Sequence, residues 1–595
     1  MIQFCNTCLN KEKYIVYLIL FLAFAVRMHY FDVSQPILGD EGAYHYGALN
    51  LIENNVFTYD YYGDKYRGEM LLDSSNSFMP GYVFFLTILY KIFGSNIEVA
   101  RYSNLVISVF IVWLVYKILK QVIVSRWIIY LVLILVSVYP GFIYNNQRVY
   151  TENLFTFLLL GASYYFIAFT NTYKRKLLVL VSTLLSISFF IRPVAIILEA
   201  IILLLLIFDK KLTVKERLKN VVVIIMPMMV FVGGWGFRNY LAFGSFMLSQ
   251  GGDGPVIWGL MPYFIDVHNL PGNTVSEIFS YVYNISPVLF FKWKIFGHLQ
   301  YMWWDVWDEF LTHPSVFLKR LGIVHHVVLV FYLLTLPLLI RRYAIKYYSI
   351  FFIPVFMSLF YLLFHGLPRY IWPSLPFVFI SCAMSLEMFA GKRSNFLNRG
   401  DVKKNKGTSN IFRKGLFYIS IVFSVIVFYS VFFFSAENAK EMSDYELRSK
   451  VKMDISSVEG KPVISNMEFD QYSKQIEYKN WSINGNEFKA DGGAGILELH
   501  NLALNRKYIV SKVEIMGWGG FIYDRCIIYW KRTGDDNYSE ERVFSFPTFF
   551  WQGKRTVYIA SDVESLLIVP VVFADGVFHF ENIVVTKYYC GGNNE

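Results

Sequence analysis

Residues 101–144 read RYSNLVISVFIVWLVYKILKQVIVSRWIIYLVLILVSVYPGFIY, two apolar runs at 101–119 and 127–144 joined by a short connection that holds Lys120 and Arg126. Each run approaches the about 20 helical residues needed to cross about 30 Å of hydrocarbon. Only a backbone whose hydrogen bonds close internally is stable there, so both runs read as helices. The basic connection between them gives a direction, because short loops rich in Lys and Arg stay cytoplasmic.

Outward from this pair the pattern repeats. Apolar runs at 14–31, 152–170, 177–191, 193–208, 219–236, 318–340, 347–365, 370–390 and 415–435 complete eleven expected crossings. Lys117 shares the first basic connection, and four more basic connections follow: Lys174 to Lys176, Lys210 to Lys219, Arg341 to Lys346, and Lys392 to Lys414. With eleven crossings all five fall on one face, together with Lys11 and Lys13, which predicts a cytoplasmic amino terminus and an extracytoplasmic carboxyl end. The first run has no small-residue cleavage site behind it and ten further runs after it, so it reads as an anchor rather than a secretory signal. Composition agrees: 55% of the 595 residues are hydrophobic and 17% charged, which excludes an ordinary soluble enzyme. The net charge of +10 follows from topology. Nucleic-acid binding would need a clustered basic patch outside a membrane context.

Pro80 to Gly94 is apolar but short, and counting it as a crossing would invert every later loop; it reads as a helix on the outer membrane surface. The expected plan is a membrane domain over 1–435 with outer loops 31–100 and 237–317, a linker over 436–460, and a carboxyl-terminal domain over 461–595. In that last region alternating segments at 495–500, 508–515, 526–530, 557–560, 566–572 and 577–585 predict short strands and an antiparallel β-sandwich, with jelly-roll, galactose-binding-like character. Trp481, Trp518, Trp530 and Trp551 are either sugar platforms or core, and core is the commoner fate of such aromatics. Cys5 and Cys8 form a single Cys-x-x-Cys, too few ligands for a zinc site; Cys526 and Cys590 form a disulfide or stay as two thiols.

The polar residues of interest fall on the expected outer side. Gly39, Asp40, Glu41, Gly42, Ala43 and Tyr44 put adjacent carboxylates just past the first span. Met79, Pro80, Gly81 and Tyr82 follow, then Thr151 and Glu152 before Leu154 and Phe155, Arg192 with Pro193, Trp235 with Arg238, Asn239 and Gly244, and Arg369 with Tyr370, Pro373 and Pro376. In this order the motifs resemble the polytopic GT-C-type glycosyltransferases that use polyprenyl-phosphate sugars, the family of protein mannosyltransferases and lipid A aminoarabinose transferases. The resemblance covers about the first 390 residues. One departure is that only one proline remains of the family's Pro-Pro-x-Tyr element. The resemblance implies a glycosyltransferase of the cell membrane, inverting, that moves a sugar from a polyprenyl-phosphate carrier to an acceptor hydroxyl on the extracytoplasmic face. Its partners would be the lipid-linked sugar, an acceptor protein, glycolipid or polysaccharide, and membrane lipids, without nucleic acid. The competing class is a lipid-linked glycan transporter or flippase, or a non-catalytic assembly protein. A transporter would be expected to repeat its halves with matching interrupted helices, and the sequence shows no such repeat.

Sugar transfer through an oxocarbenium-like state calls for a carboxylate to take the acceptor proton. Asp40, with Glu41 beside it, is the candidate. A phosphate leaving group calls for charge neutralisation, which guanidinium groups supply through a planar fork; Arg192, Arg238 and Arg369 are the candidates. Glu152, Tyr44, Tyr82, Asn239 and Tyr370 are supporting candidates. Asp40, Glu41 and Glu152 are oxygen ligands suited to magnesium or manganese, which leaves a metal open. Blander readings stand beside these. An acidic pair at a helix end is often only solvated, Glu152 suits the first turn of a helix, Arg192 is positioned to satisfy carbonyls freed by Pro193, and Arg369 to snorkel toward headgroups. Trp303, Trp304 and Trp307, interleaved with Asp305, Asp308 and Glu309, read as an interfacial aromatic belt before a sugar or prenyl platform.

Overall fold

In the computed structural model the residues described are 2–33, 37, 40–53, 55, 57, 79–209, 211–248, 256, 259–260, 274–285, 287–304, 323–364, 366, 368–390, 408–433, Gly534 and the strands between 476 and 589. The amino-terminal run forms α1 (Ile2–His29), and the loop expected over 31–100 contributes α2 (Asp40–Glu53) and α3 (Gly81–Phe93). The quoted stretch becomes α4 (Ile97–Val122) and α5 (Arg126–Val138). The Asn96 side chain accepts from the Glu98 N–H at 3.1 Å, meeting one of the donors a helix start leaves free. Pro140 cannot continue the ladder, so α5 stops before it and the chain bends by 51° into the segment that begins with α6 (Pro140–Tyr144). Carbonyls freed at this break are met from α1. Buried Arg27 donates to the Ser137 carbonyl at 2.7 Å and the Val136 carbonyl at 3.4 Å.

There follow α7 (Glu152–Thr172), α8 (Arg175–Ile191), α9 (Ile196–Ile207) and α10 (Val214–Phe243). A capping box between Thr213 and Glu216 opens α10, and Gly244 closes it in the left-handed region at φ 72°. The loop expected over 237–317 contributes α11 (Val275–Ile285), α12 (Pro287–Lys292) and α13 (His298–Trp304). The remaining helices are α14 (Ile323–Arg342), α15 (Tyr348–Phe351), α16 (Ile353–Tyr361), α17 (Pro368–Ile371), α18 (Leu375–Phe389) and α19 (Thr408–Phe432). Among the described residues six helices are long and apolar enough to cross a membrane, or seven if the bent segment from Arg126 to Gln147 is one span. The chain is a multi-pass membrane protein. Each of the eleven apolar runs carries helix, but those in α8, α9 and α15 with α16 are shorter, and α1 is interrupted by charge. The short helix expected at Pro80 to Gly94 is α3, which buries Tyr82, Val83, Leu86 and Tyr90 and leaves Phe84, Ile88, Ile92 and Phe93 exposed.

One end of the bundle is knitted together through its basic connections. Lys120 donates to Glu12 at 2.8 Å, Lys346 to Asn171 at 2.8 Å, and Arg413 to the Ile340 carbonyl at 3.0 Å. The Glu387 carboxylate accepts from the Val124 and Ser125 N–H groups at 3.2 and 3.3 Å, a favourable place for an anion at the start of α5. Glu152 opens α7, whose far end carries Asn171; Arg192 follows α8, whose first residue is the basic Arg175; and Arg369 precedes α18, whose far end carries Glu387.

The carboxyl-terminal strands form two antiparallel sheets. One contains β1 (Ile476–Lys479), β4 (Ile496–Leu499), β6 (Arg525–Arg532), β7 (Val543–Pro547) and β9 (Val563–Val571), in the order β1-β4-β9-β6-β7. The other contains β2 (Trp481–Asn484), β3 (Glu487–Ala490), β5 (Ile509–Gly519), β8 (Gln552–Ile559) and β10 (Val577–Tyr589), in the order β2-β3-β10-β5-β8. Period-2 alternation shows in burial. Ile528 opposite Ile568 and Trp530 opposite Leu566 are buried in the first sheet, as are Val513 and Val585 in the second. Trp530 is therefore core; the side chains of Trp481, Trp518 and Trp551 lie outside the described residues, as do the linker and Cys590, so the disulfide question stays with the sequence.

Candidate active site

Asp40 is the first residue of α2. Arg369, 329 positions later, donates through Nη2 to its Oδ2. Arg369 sits on α17, where Pro368 suits the opening of a helix that a missing N–H does not harm. Arg192 arrives from a third direction. It is the residue before Pro193, a position biased away from helix, and it ends α8 extended at φ −147°, ψ 120°. Its Nη1 donates to Glu152 Oε1 at 2.6 Å and to Thr151 Oγ1 at 3.0 Å. Glu152, at the start of α7, also stands 3.9 Å from Arg369 Nε. Two carboxylates and two guanidiniums thus form one cluster built from four separate parts of the chain.

Aromatic rings wall this cluster. The Arg192 guanidinium lies 4.6 Å from the Tyr370 ring centroid, and that of Arg369 lies 5.4 Å from the same ring and 4.6 Å from Tyr150. Tyr370 in turn stacks on Tyr361 at 4.9 Å. Cation–π contacts of this kind contribute up to about 2 kcal/mol when desolvated, and they fix the planes of both guanidiniums. Tyr44, one turn along α2 from Asp40, packs edge-on to Tyr82 at 5.1 Å, and Tyr82 exchanges hydrogen bonds with Asn104.

Glu41 points elsewhere. Successive helical residues project about 100° apart, and Glu41 is 0% exposed, paired with Arg148 Nη1 at 3.3 Å and accepting from the Val149 N–H at 2.7 Å. Arg148 was not singled out from the sequence. It belongs to a buried polar patch in which Asn104 donates to the Arg148 carbonyl at 2.7 Å and Asn145 to Asn153 at 2.9 Å. A run of Asn145, Asn146, Gln147 and Arg148 between apolar stretches is the signal that would have found it. Arg101, fully buried nearby, donates to the Val33 carbonyl at 2.5 Å.

Among the described residues no hydrogen bond or ion pair is shown between Arg238 or Asn239 and the Asp40 cluster. Arg238 donates to Asn239 Oδ1 at 2.8 Å and lies 4.8 Å from the Trp235 ring, in an aromatic patch with Phe57 and Phe243. Asn239 donates to the Met247 carbonyl at 2.7 Å. Among the described residues no group of three His, Cys, Asp or Glu is placed to hold a metal; the three carboxylates named for one are each engaged by a guanidinium. Trp303 corrects the belt reading. It is 0% exposed, its indole N–H donates to Ser358 Oγ at 3.0 Å, and its carbonyl lies 2.7 Å from His325 Nε2. A polar partner for the indole lets a Trp lie in the core; the side chains of Trp304 and Trp307 lie outside the described residues.

Residues 77–235 match the family described as dolichyl-phosphate-mannose-protein mannosyltransferase, the family that the motifs resemble. The matched segment carries Gly81, Glu152 and Arg192, while Asp40 and Arg369 lie outside it. Among solved structures, ArnT from Cupriavidus metallidurans bound to undecaprenyl phosphate is 12% identical over 73% of this chain and 78% of that one, with a TM-score of 0.36. Arabinosyltransferase EmbB from Mycobacterium smegmatis is 10% identical over 97% of this chain and 64% of that one, with a TM-score of 0.33. No curated protein matches the sequence.

Proposed function

We propose that the protein is an inverting membrane glycosyltransferase that moves a sugar from a polyprenyl-phosphate carrier, such as undecaprenyl phosphate, to an acceptor hydroxyl. The observation that carries this is the convergence of Asp40, Glu152, Arg192 and Arg369 in one cluster. The acceptor oxygen attacks the anomeric carbon as Asp40 takes its proton. The bond from that carbon to the phosphate oxygen breaks, and its electron pair leaves with the lipid phosphate, whose charge Arg369 and Arg192 meet. Glu152 is a positioning residue that aligns both guanidiniums. The family match over 77–235 supports the same chemistry, and the placing of Glu152 and Arg192 at the ends of α7 and α8 away from the basic connection between them supports our reading of eleven crossings, a cytoplasmic amino terminus and transfer on the outer face. The two sheets with buried apolar faces support a carboxyl-terminal β-sandwich at 461–595, after the membrane domain 1–435 and the linker.

The purified protein should release polyprenyl phosphate from at least one member of a panel of polyprenyl-phosphate sugars. Asp40→Asn should lower that release by about a hundred- to ten-thousandfold, the worth of a general base, with unchanged thermal melting. No release from any donor, or full activity in Asp40→Asn, overturns the assignment.

A further inference from the structure

We propose that the Asp40–Arg369 ion pair is a latch opened by the donor: without donor Arg369 holds the base, and an incoming lipid phosphate takes Arg369 and frees Asp40 for the acceptor proton. This rests on the transferase reading above.

Charge comes first. The cluster contains two guanidiniums and two carboxylates, so it is balanced as it stands. A further anion placed among them would be left uncompensated in a poorly hydrated site, which is costly, unless one carboxylate gives way. The two carboxylates are not equally able to do so. Glu152 is 2% exposed and tied to Arg192, which also holds Thr151. Asp40 is 32% exposed and stands at the first position of its helix, where a released side chain meets water.

The two guanidiniums differ in the same sense. Arg192 is committed to Glu152 and Thr151. Arg369 has five N–H groups, of which one donates to Asp40, and its buried Nε has no hydrogen-bond partner among the described residues, standing 3.9 Å from Glu152. Its guanidinium lies against the Tyr150 and Tyr370 rings, which restrain the direction of its spare donors. A phosphate can use them as a bidentate fork, and once docked there it competes with Asp40 for the same guanidinium. The base then becomes available only after the leaving group is docked, which orders donor before acceptor.

The test is binding of a polyprenyl monophosphate without sugar to the purified full-length protein. Asp40→Asn should bind it about fivefold more tightly than wild type, the equivalent of about 1 kcal/mol for a competing ion pair. Asp40→Ser serves if the first variant does not fold. The gain should disappear when Asp40→Asn is made on an Arg369→Gln background, which separates the latch from the general effect of removing a negative charge. Equal or weaker binding by Asp40→Asn, a gain that survives in the double variant, or a wild type that does not bind the probe overturns the latch. A wild type that releases polyprenyl phosphate from sugar donors while Asp40→Asn shows no gain overturns the latch and keeps the transferase. A coupled gain with no turnover of any donor overturns the transferase and keeps the competition for Arg369.

Discussion

Asp40 and Glu41 stand side by side at the start of α2, yet one is 32% exposed and the other 0%. Asp40 faces a cluster with spare hydrogen-bonding capacity; Glu41 faces Arg148 and a backbone N–H that fix α2 to the segment before α7. An adjacent acidic pair is therefore two devices, one directed at the site and one that fastens the helix presenting it. The difference predicts different damage. Glu41→Gln removes the carboxylate charge from the buried pair with Arg148, and breaking a buried pair from one side costs about 3–5 kcal/mol. Its melting temperature should fall well below that of wild type, and turnover should fall with the folded fraction. If Glu41→Gln melts like wild type but loses turnover as Asp40→Asn does, the two residues act as one and the comparison is wrong.

The same contrast marks what could be read from the sequence. Apolar runs located each of the six long apolar helices among the described residues, and the bent segment Arg126–Gln147, because hydrocarbon imposes length and charge rules on each segment separately. Alternation located β4, β5, β6, β8, β9 and β10. It missed β1 to β3 and β7; β4 is as short, but Ile496, Leu497 and Leu499 make it apolar enough to read, whereas β1 to β3 each carry one or two apolar residues among polar ones. At the site, Asp40, Glu152, Arg192 and Arg369 were named and are brought together. Missing from the reading were Arg148, which pairs across 107 positions, and the burial of Trp303; both depend on which neighbour a side chain meets. Arg238 was grouped with the phosphate ligands by residue type; the structure describes it over Trp235.

Gly81 tests whether the fastening side also sets the reactive side. A Cβ at this position would lie 2.7 Å from the Phe190 carbonyl carbon and oxygen and 2.9 Å from the Ile191 nitrogen, so α3 and the end of α8 touch backbone to backbone. Neither can yield by rotating a side chain. Gly81→Ala should cost about 1–3 kcal/mol, the range for overpacking, less than Glu41→Gln. Because Arg192 follows Ile191 directly, turnover at saturating donor should drop more than the melting shift explains. An alanine variant with wild-type melting and turnover would show that the close approach has no bearing on Arg192.

The smallest effect is expected on the fastened side of α2, at His45. Its Nδ1 lies 2.8 Å from the Tyr90 hydroxyl on α3, and burial, with the Arg101 charge of α4 second, pushes its pKa down from 6.5 to about 4. The unfolded chain therefore takes up a proton on this histidine at a pH where the folded chain does not. Its contribution to stability is complete above about pH 6.5 and is lost as the pH falls toward about 4, with a slope on the order of 1 kcal/mol per pH unit. Carboxylates titrate in the same window, so the measurement is the difference between wild type and His45→Gln in melting temperature across that range. The wild type should lose more on acidification than the glutamine variant. Parallel curves would mean that His45 is protonated in the folded state as readily as in the unfolded one, and that the inner face of α2 admits charge as the Asp40 face does.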